Sequence, residues 1–162
     1  MWTLYPAGGA RCARFPTPAN VRQAGKIALF GYSRGAIVAT IAATQDQSLA
    51  AAPLGAGAYD FFTWNPTIPG IAWNIAEEAG TSSEAYLARS AIYHAEKIKA
   101  PVLLLHGGAD ERIPVRQAQA FAEKLKAVGV VYRLKIFPTA PHGIPIGEQW
   151  REVEPFLEQY LR

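Results

Sequence analysis

The strongest constraint on this chain is an alternation that begins at Lys26: short, largely apolar runs trade places with stretches of helical periodicity. A strand that is apolar at every position is buried on both faces, as in a parallel sheet covered by helices. Residues 26–32 (KIALFGY), 49–58 and 101–106 (PVLLLH) are runs of this kind. Residues 34–44 are rich in alanine, with Ile37, Val38 and Ile41, and predict a helix slim enough to lie close on the sheet. Pro114 opens another helix, where its fixed φ and missing N–H suit the first turn. Val115, Ala118, Phe121, Ala122, Leu125 and Val128 give that helix one apolar stripe, and Gly129 stops it.

The remaining segments are less regular. Residues 131–137 alternate, with Tyr132, Leu134 and Ile136 opposed to Arg133 and Lys135, as in a strand near a sheet edge. Residues 60–80 are aromatic and carry Pro66 and Pro69, so they are expected to be irregular or a small lid. Ser82 or Ser83 is expected to cap a short helix through Arg89. The tail from Glu148 has helical spacing, and Pro155 is expected to break or kink it. The expectation is one α/β domain over residues 1–162, with an atypical segment at 1–25 and a small lid or irregular insertion at 60–97.

Composition narrows the function classes. Half of the 162 residues are hydrophobic and 18% are charged, so the chain can bury a core and does not read as disordered. The net charge is +3, yet the basic residues are spread without a Lys/Arg run, which argues against a nucleic-acid partner. The single cysteine, Cys12, permits no internal disulfide and no multi-cysteine metal site; it is read as a passive thiol. No cofactor is expected. No apolar run reaches the ~20 residues of a membrane span. Residues 1–14 show no secretory pattern, so a cytoplasmic location is expected.

The chemistry concentrates in three loops. Gly31-Tyr32-Ser33-Arg34-Gly35 matches G-x-S-x-G between a predicted strand and a predicted helix. A serine on that tight turn projects its hydroxyl above the sheet, and the glycines leave room for neighbouring backbone. Asp110 follows the strand at 101–106, on the rim where doubly wound sheets bind ligands. A carboxylate there can hold a histidine tautomer, and Asp110 is favoured over the adjacent Glu111. His142 lies between Pro141 and Gly143 after the last strand, and imidazole is suited to proton transfer near neutral pH. His94 reads as a surface or packing residue. His106 precedes Gly107-Gly108, but an oxyanion loop of the His-Gly-Gly kind would precede the nucleophile; His106 reads as a strand-end residue with a local hydrogen bond. The order serine, acid, histidine is the one imposed on a triad by one particular sheet topology.

At these residues the chain resembles the catalytic domain of the prolyl oligopeptidase (S9) group and dienelactone-hydrolase-like esterases, within the α/β-hydrolase superfamily. The resemblance runs from Gly31–Gly35 through residues 90–107, Asp110, Ile113-Pro114, Gln117-Ala118 and Gly129 to Pro141-His142-Gly143. It implies Ser33 as nucleophile, Asp110 as orienting acid, His142 as base and the Arg34 backbone N–H as one oxyanion donor. Family members carry several strands ahead of the nucleophile, whereas here the elbow strand begins at Lys26, so a truncated α/β-hydrolase fold is expected. Trp2 to Tyr5 with Gly8-Gly9 are a candidate remnant of the missing strand and loop. The bare edge of the first strand should be covered by residues 1–25 or by a second copy of the chain. The activity expected is a carboxylesterase acting on a small-molecule ester, with an S9-like peptidase or a silent binding protein as alternatives. Tyr32 is a candidate substrate-binding residue; Trp64 and Trp73 are candidates for the pocket or, more simply, for the core.

Overall fold

The computed structural model describes residues 10–12, 26–64 and 69–162. Its sheet has five strands in the order β1 (Ala10–Cys12), β2 (Leu29–Tyr32), β3 (Ala52–Gly55), β4 (Val102–Gly107) and β5 (Tyr132–Phe137). Strands β2 to β5 are parallel, and β1 runs antiparallel along β2 with Ala10 opposite Gly31. This is a partial α/β-hydrolase fold. The three residues of β1 lie on the edge that would otherwise be open. The candidate remnant at Trp2 to Tyr5 and Gly8-Gly9 lies outside the described residues.

The apolar runs sort into two layers for the reason the sequence implied. Along β4, Val102 and Leu104 face one core with Leu54, Phe121 and Leu125, while Leu103 and Leu105 face another with Val153, Phe156 and Leu157. Helices α1 (Arg34–Gln45) and α4 (Arg116–Ala127) cover the first face, and α5 (Ile146–Leu161) covers the second. Helix α1 buries Gly35, Ala36, Ala39 and Ala43, so its backbone can approach the strands closely. Strand β5 is the edge of the sheet. Its Lys135 reaches Glu152 of α5 at 3.3 Å, and Arg133 donates to the Glu152 carbonyl at 3.0 Å.

Two expectations need correction. Residues 60–80 are not simply irregular, because they contain α2 (Pro69–Ala79). The aromatic residues and the prolines obscured the Ile71/Ile75 pair, which is spaced one helical turn apart and packs into a third cluster with Phe61, Trp64 and Ile113. Helix α5 also runs unbroken through Pro155. A mid-helix proline costs about 3 kcal/mol, whereas burying Val153, Phe156 and Leu157 contributes about 1.5–3 kcal/mol each. Packing wins. The short helix α3 (Ser83–Arg89) is capped as expected, with the Ala85 N–H donating to Ser82 Oγ at 3.2 Å.

Candidate active site

Ser33 sits between the end of β2 and the start of α1, with φ 54° and ψ −119°. Positive φ is uncommon for a residue with a side chain; it costs about 1–3 kcal/mol and persists only where the surroundings enforce it. The enforcement is visible. The Ser33 N–H donates to the Gly55 carbonyl at 2.7 Å, and its own carbonyl accepts from Ala36 at 2.9 Å. A Cβ on Gly31 would stand 2.2 Å from the Gly35 carbonyl oxygen, so only glycine lets the chain turn this sharply into the helix. Arg34 is the first residue of α1, and its N–H, like those of the first turn generally, has no partner within the helix.

Asp110 and His142 follow β4 and β5, which lie side by side beyond β3. Two glycines make their loops compatible: a Cβ on Gly107 would lie 2.4 Å from the carbonyl oxygens of both Ala140 and Pro141, and one on Gly108 would lie 2.4 Å from that of Pro138. The N–H of Gly108 donates to Phe137 at 2.7 Å and that of Ala109 to Ala140 at 3.0 Å, stitching the β4 loop to the β5 loop. Gly107-Gly108 thus serves loop crossing.

The result is a continuous chain of hydrogen bonds. Ser33 Oγ lies 2.8 Å from His142 Nε2, and His142 Nδ1 lies 2.8 Å from Asp110 Oδ2. Because the carboxylate accepts from Nδ1–H, the Nε2 lone pair faces the serine hydroxyl. Asp110 is buried, and its Oδ1 accepts from the main-chain N–H groups of Arg112 and Ile113 at 2.9 Å each. Burial pushes its carboxyl up, but donors from His106, His142, Ile113 and Arg112 outweigh this and hold it well below the usual carboxylate range. Glu111 is exposed, so the choice between the two neighbouring acids is decided by which one the turn directs inward.

Sequence reasoning understated His106 and noted Gln117 only within the family resemblance, with no role. His106 is fully buried, with Nε2 2.8 Å from the Ile113 carbonyl and 3.3 Å from Asp110 Oδ2. Its Nδ1 has no partner among the described residues, so the ring proton belongs on Nε2. The i, i+4 spacing to Asp110 was the available signal. Gln117, buried on α4, accepts from the N–H groups of Tyr59 and Asp60 at 2.9 Å each and donates to the Asp60 carbonyl at 3.1 Å. It thereby pins the segment that leads to Trp64, whose indole N–H donates to the Arg112 carbonyl at 3.0 Å. His94 is half-buried, with Nε2 3.0 Å from the Leu87 carbonyl.

A cavity of about 210 Å³ opens beside Ser33 and His142. Ile37, Trp64, Ile71, Ile75 and Ile113 supply its apolar wall, and Arg34, Asn74, Glu78 and Arg112 its polar lining. Arg34 and Glu78 pair with each other, which ties α2 to the start of α1. Trp64 is both core and cavity wall. Trp73 is neither, since it is 64% exposed and absent from the lining. Tyr32 does not line the cavity either; its ring turns toward the α5 face, and its hydroxyl meets the His142 loop.

Residues 12–162 match the prolyl oligopeptidase family. The chain belongs to that family. It is similar in structure to the acylaminoacyl peptidase of Pyrococcus horikoshii, with TM-score 0.75 and 26% identity over 85% of this chain and 24% of that one. In sequence it is 39% identical to acylamino-acid-releasing enzyme 2 of Oryza sativa subsp. japonica, over 43% of this chain and 9% of the relative. It is 31% identical to a Methylorubrum extorquens protein named "Putative carboxymethylenebutenolidase", over 59% of this chain and 36% of that one. This member of the prolyl oligopeptidase family therefore spans only a fraction of the length of the relatives it matches. Among the described residues, no helix is long and apolar enough to cross a membrane.

Proposed function

We propose that this chain is a serine hydrolase that cleaves acyl bonds through an acyl-enzyme on Ser33, with a peptidase of the acylaminoacyl kind as the favoured activity. The observation that carries this is the unbroken Ser33–His142–Asp110 relay, 2.8 Å at each link, mounted on a strained elbow. Ser33 Oγ would attack the substrate carbonyl carbon as His142 Nε2 takes the hydroxyl proton. Asp110 holds the ring in the accepting tautomer and stabilises the imidazolium that forms. The developing oxyanion would face the free N–H of Arg34 at the positive end of α1. When the tetrahedral adduct collapses, Nε2–H gives its proton to the leaving amine or alkoxide. Water, activated by the same imidazole, then releases the acid and restores Ser33.

Membership of the prolyl oligopeptidase family and the acylaminoacyl peptidases among its neighbours favour a peptide-type substrate. An apolar wall with cationic Arg112 in the same lining suits an apolar side chain followed by a carbonyl. The carboxylesterase reading retains its own support: the cavity is small, and an ester leaving group needs less help than an amide. A cytoplasmic location remains part of the proposal. Labelling by a fluorophosphonate tests the common core, since only an activated serine reacts quickly. Wild type should label, and Ser33→Ala should lose both label and turnover. Equal labelling of the two would refute the assignment, and an inert wild type would favour a silent binding protein. Acylaminoacyl p-nitroanilides against p-nitrophenyl acetate and butyrate then separate peptidase from esterase.

A further inference from the structure

Tyr32 is the residue before the nucleophile, yet its side chain leaves the elbow and crosses to the loop that carries the histidine. Its hydroxyl donates to the His142 carbonyl at 2.5 Å and accepts from the Ile144 N–H at 3.0 Å. One oxygen therefore holds the main chain on both sides of Gly143. The ring that delivers it is itself fixed. Tyr32 is paired in register with Gly55 of β3, and a Cβ on Gly55 would stand 2.4 Å from Tyr32 Cδ2, so the phenol lies flat across a strand that has no side chain there. It lies tilted beside the His142 ring, with centroids 6.1 Å apart and planes at 59°.

These contacts close a short loop of constraints. The peptide link from Tyr32 to Ser33 fixes the nucleophile relative to the phenol. The phenol then fixes the backbone of His142, and the His142 ring returns to Ser33 Oγ at 2.8 Å. Other bonds hold the same loop from further off: Gln149 donates to the Ile144 carbonyl at 2.6 Å, and Ala140 is tied to Ala109. The His142 carbonyl itself is held by Tyr32. A Cβ on Gly143 would meet no atom within 4 Å, so the glycine brings no steric contact that would locate the loop.

We propose that Tyr32 is a positioning residue for the base, whose hydroxyl sets the Ser33–His142 distance through its two main-chain hydrogen bonds, rather than a residue that binds substrate. The inference rests on the reading of Ser33 and His142 as the reacting pair. A small displacement of a reacting group can cost up to about 10² in rate without changing substrate affinity, so the effect belongs in kcat and in serine reactivity.

Tyr32→Phe keeps the ring and removes both bonds. The measurement is kcat and KM on a p-nitrophenyl ester, the rate of fluorophosphonate labelling, and amide exchange at Ile144, on wild type and variant. We expect kcat and labelling to fall together by about tenfold with KM within about twofold, and Ile144 exchange to accelerate. A rise in KM at constant kcat would overturn the proposal in favour of substrate binding. Labelling and exchange both at wild-type rates would overturn it outright. A wild-type chain that does not label would sink the serine-hydrolase reading instead, and Ile144 exchange would still decide whether the phenol holds the loop. Should Tyr32→Phe misfold, Gly55→Ala displaces the ring while keeping the hydroxyl and is expected to give the same split between kcat and KM.

Discussion

Asp110→Asn changes one atom and, in this site, forces a choice that the geometry has already made. Oδ1 accepts from two main-chain N–H groups, those of Arg112 and Ile113, at 2.9 Å each. An asparagine must keep its carbonyl oxygen there, because an NH₂ group would face two donors. The NH₂ group therefore takes the place of Oδ2, facing His142 Nδ1 at 2.8 Å and His106 Nε2 at 3.3 Å. It can donate to His142 only if Nδ1 is bare, which moves the ring proton to Nε2. In that tautomer the ring cannot accept the Ser33 proton. The same substitution in a well-studied serine protease lowers kcat by about 10⁴, and at 1.36 kcal/mol per tenfold this is about 5.5 kcal/mol of transition-state stabilisation. We expect a loss of that order in kcat and in fluorophosphonate labelling, with KM within a few fold. Single-turnover labelling followed by mass spectrometry reads it directly. A folded Asp110→Asn protein that labels within tenfold of wild type would refute the tautomer reasoning.

The same carboxylate makes stability depend on acid. Burial raises the Asp110 carboxyl, but the donors around it, His106 and His142 foremost, bring it below its ordinary value of 3.8. A folded value below the unfolded one means that the stabilisation is complete above 3.8 and is lost as pH falls below it. Wild type should lose stability in that acidic range, and Asp110→Asn should lack that share of the loss; parallel denaturation curves for the two would contradict it. Gly107→Ala drives a Cβ to 2.4 Å from two main-chain carbonyl oxygens of the His142 loop. Labelling should drop by about 10² as the loop shifts, and a fully active variant would show that the loops can part without harm. Gln117→Ala leaves the buried N–H groups of Tyr59 and Asp60 unpaired. At about 1–3 kcal/mol for each orphaned group, urea unfolding should report a loss of a few kcal/mol; a loss under about 1 kcal/mol would mean that water replaces the amide.

Much of the site was legible because its markers are local. The elbow glycine, the serine and the start of the following helix occupy five consecutive residues, and the steric reason for Gly31 acts over that span. The apolar run that opens β4, Val102 to Leu105, declares itself as a strand buried on both faces, and Asp110 and His142 each follow a strand end. Helix α2 and the continuity of α5 were harder. Pro155 argues locally against helix and Pro69 marks only a helix start, while Ile71, Ile75, Phe156 and Leu157 gain their stabilisation from partners elsewhere in the chain.

By itself, the sequence determined the alternating architecture, the order of nucleophile, acid and base, and the family to which the chain belongs. Only the tertiary structure decided where the Tyr32 hydroxyl points, why Gly55, Gly107 and Gly108 must lack side chains, and that His106 and Gln117 stand behind the site. The physical reason is range. Propensity, capping and turn sterics act over a few residues and leave their mark in the local pattern. A contact between residues 32 and 142 or 107 and 140 exists only after the sheet has set four strand ends side by side.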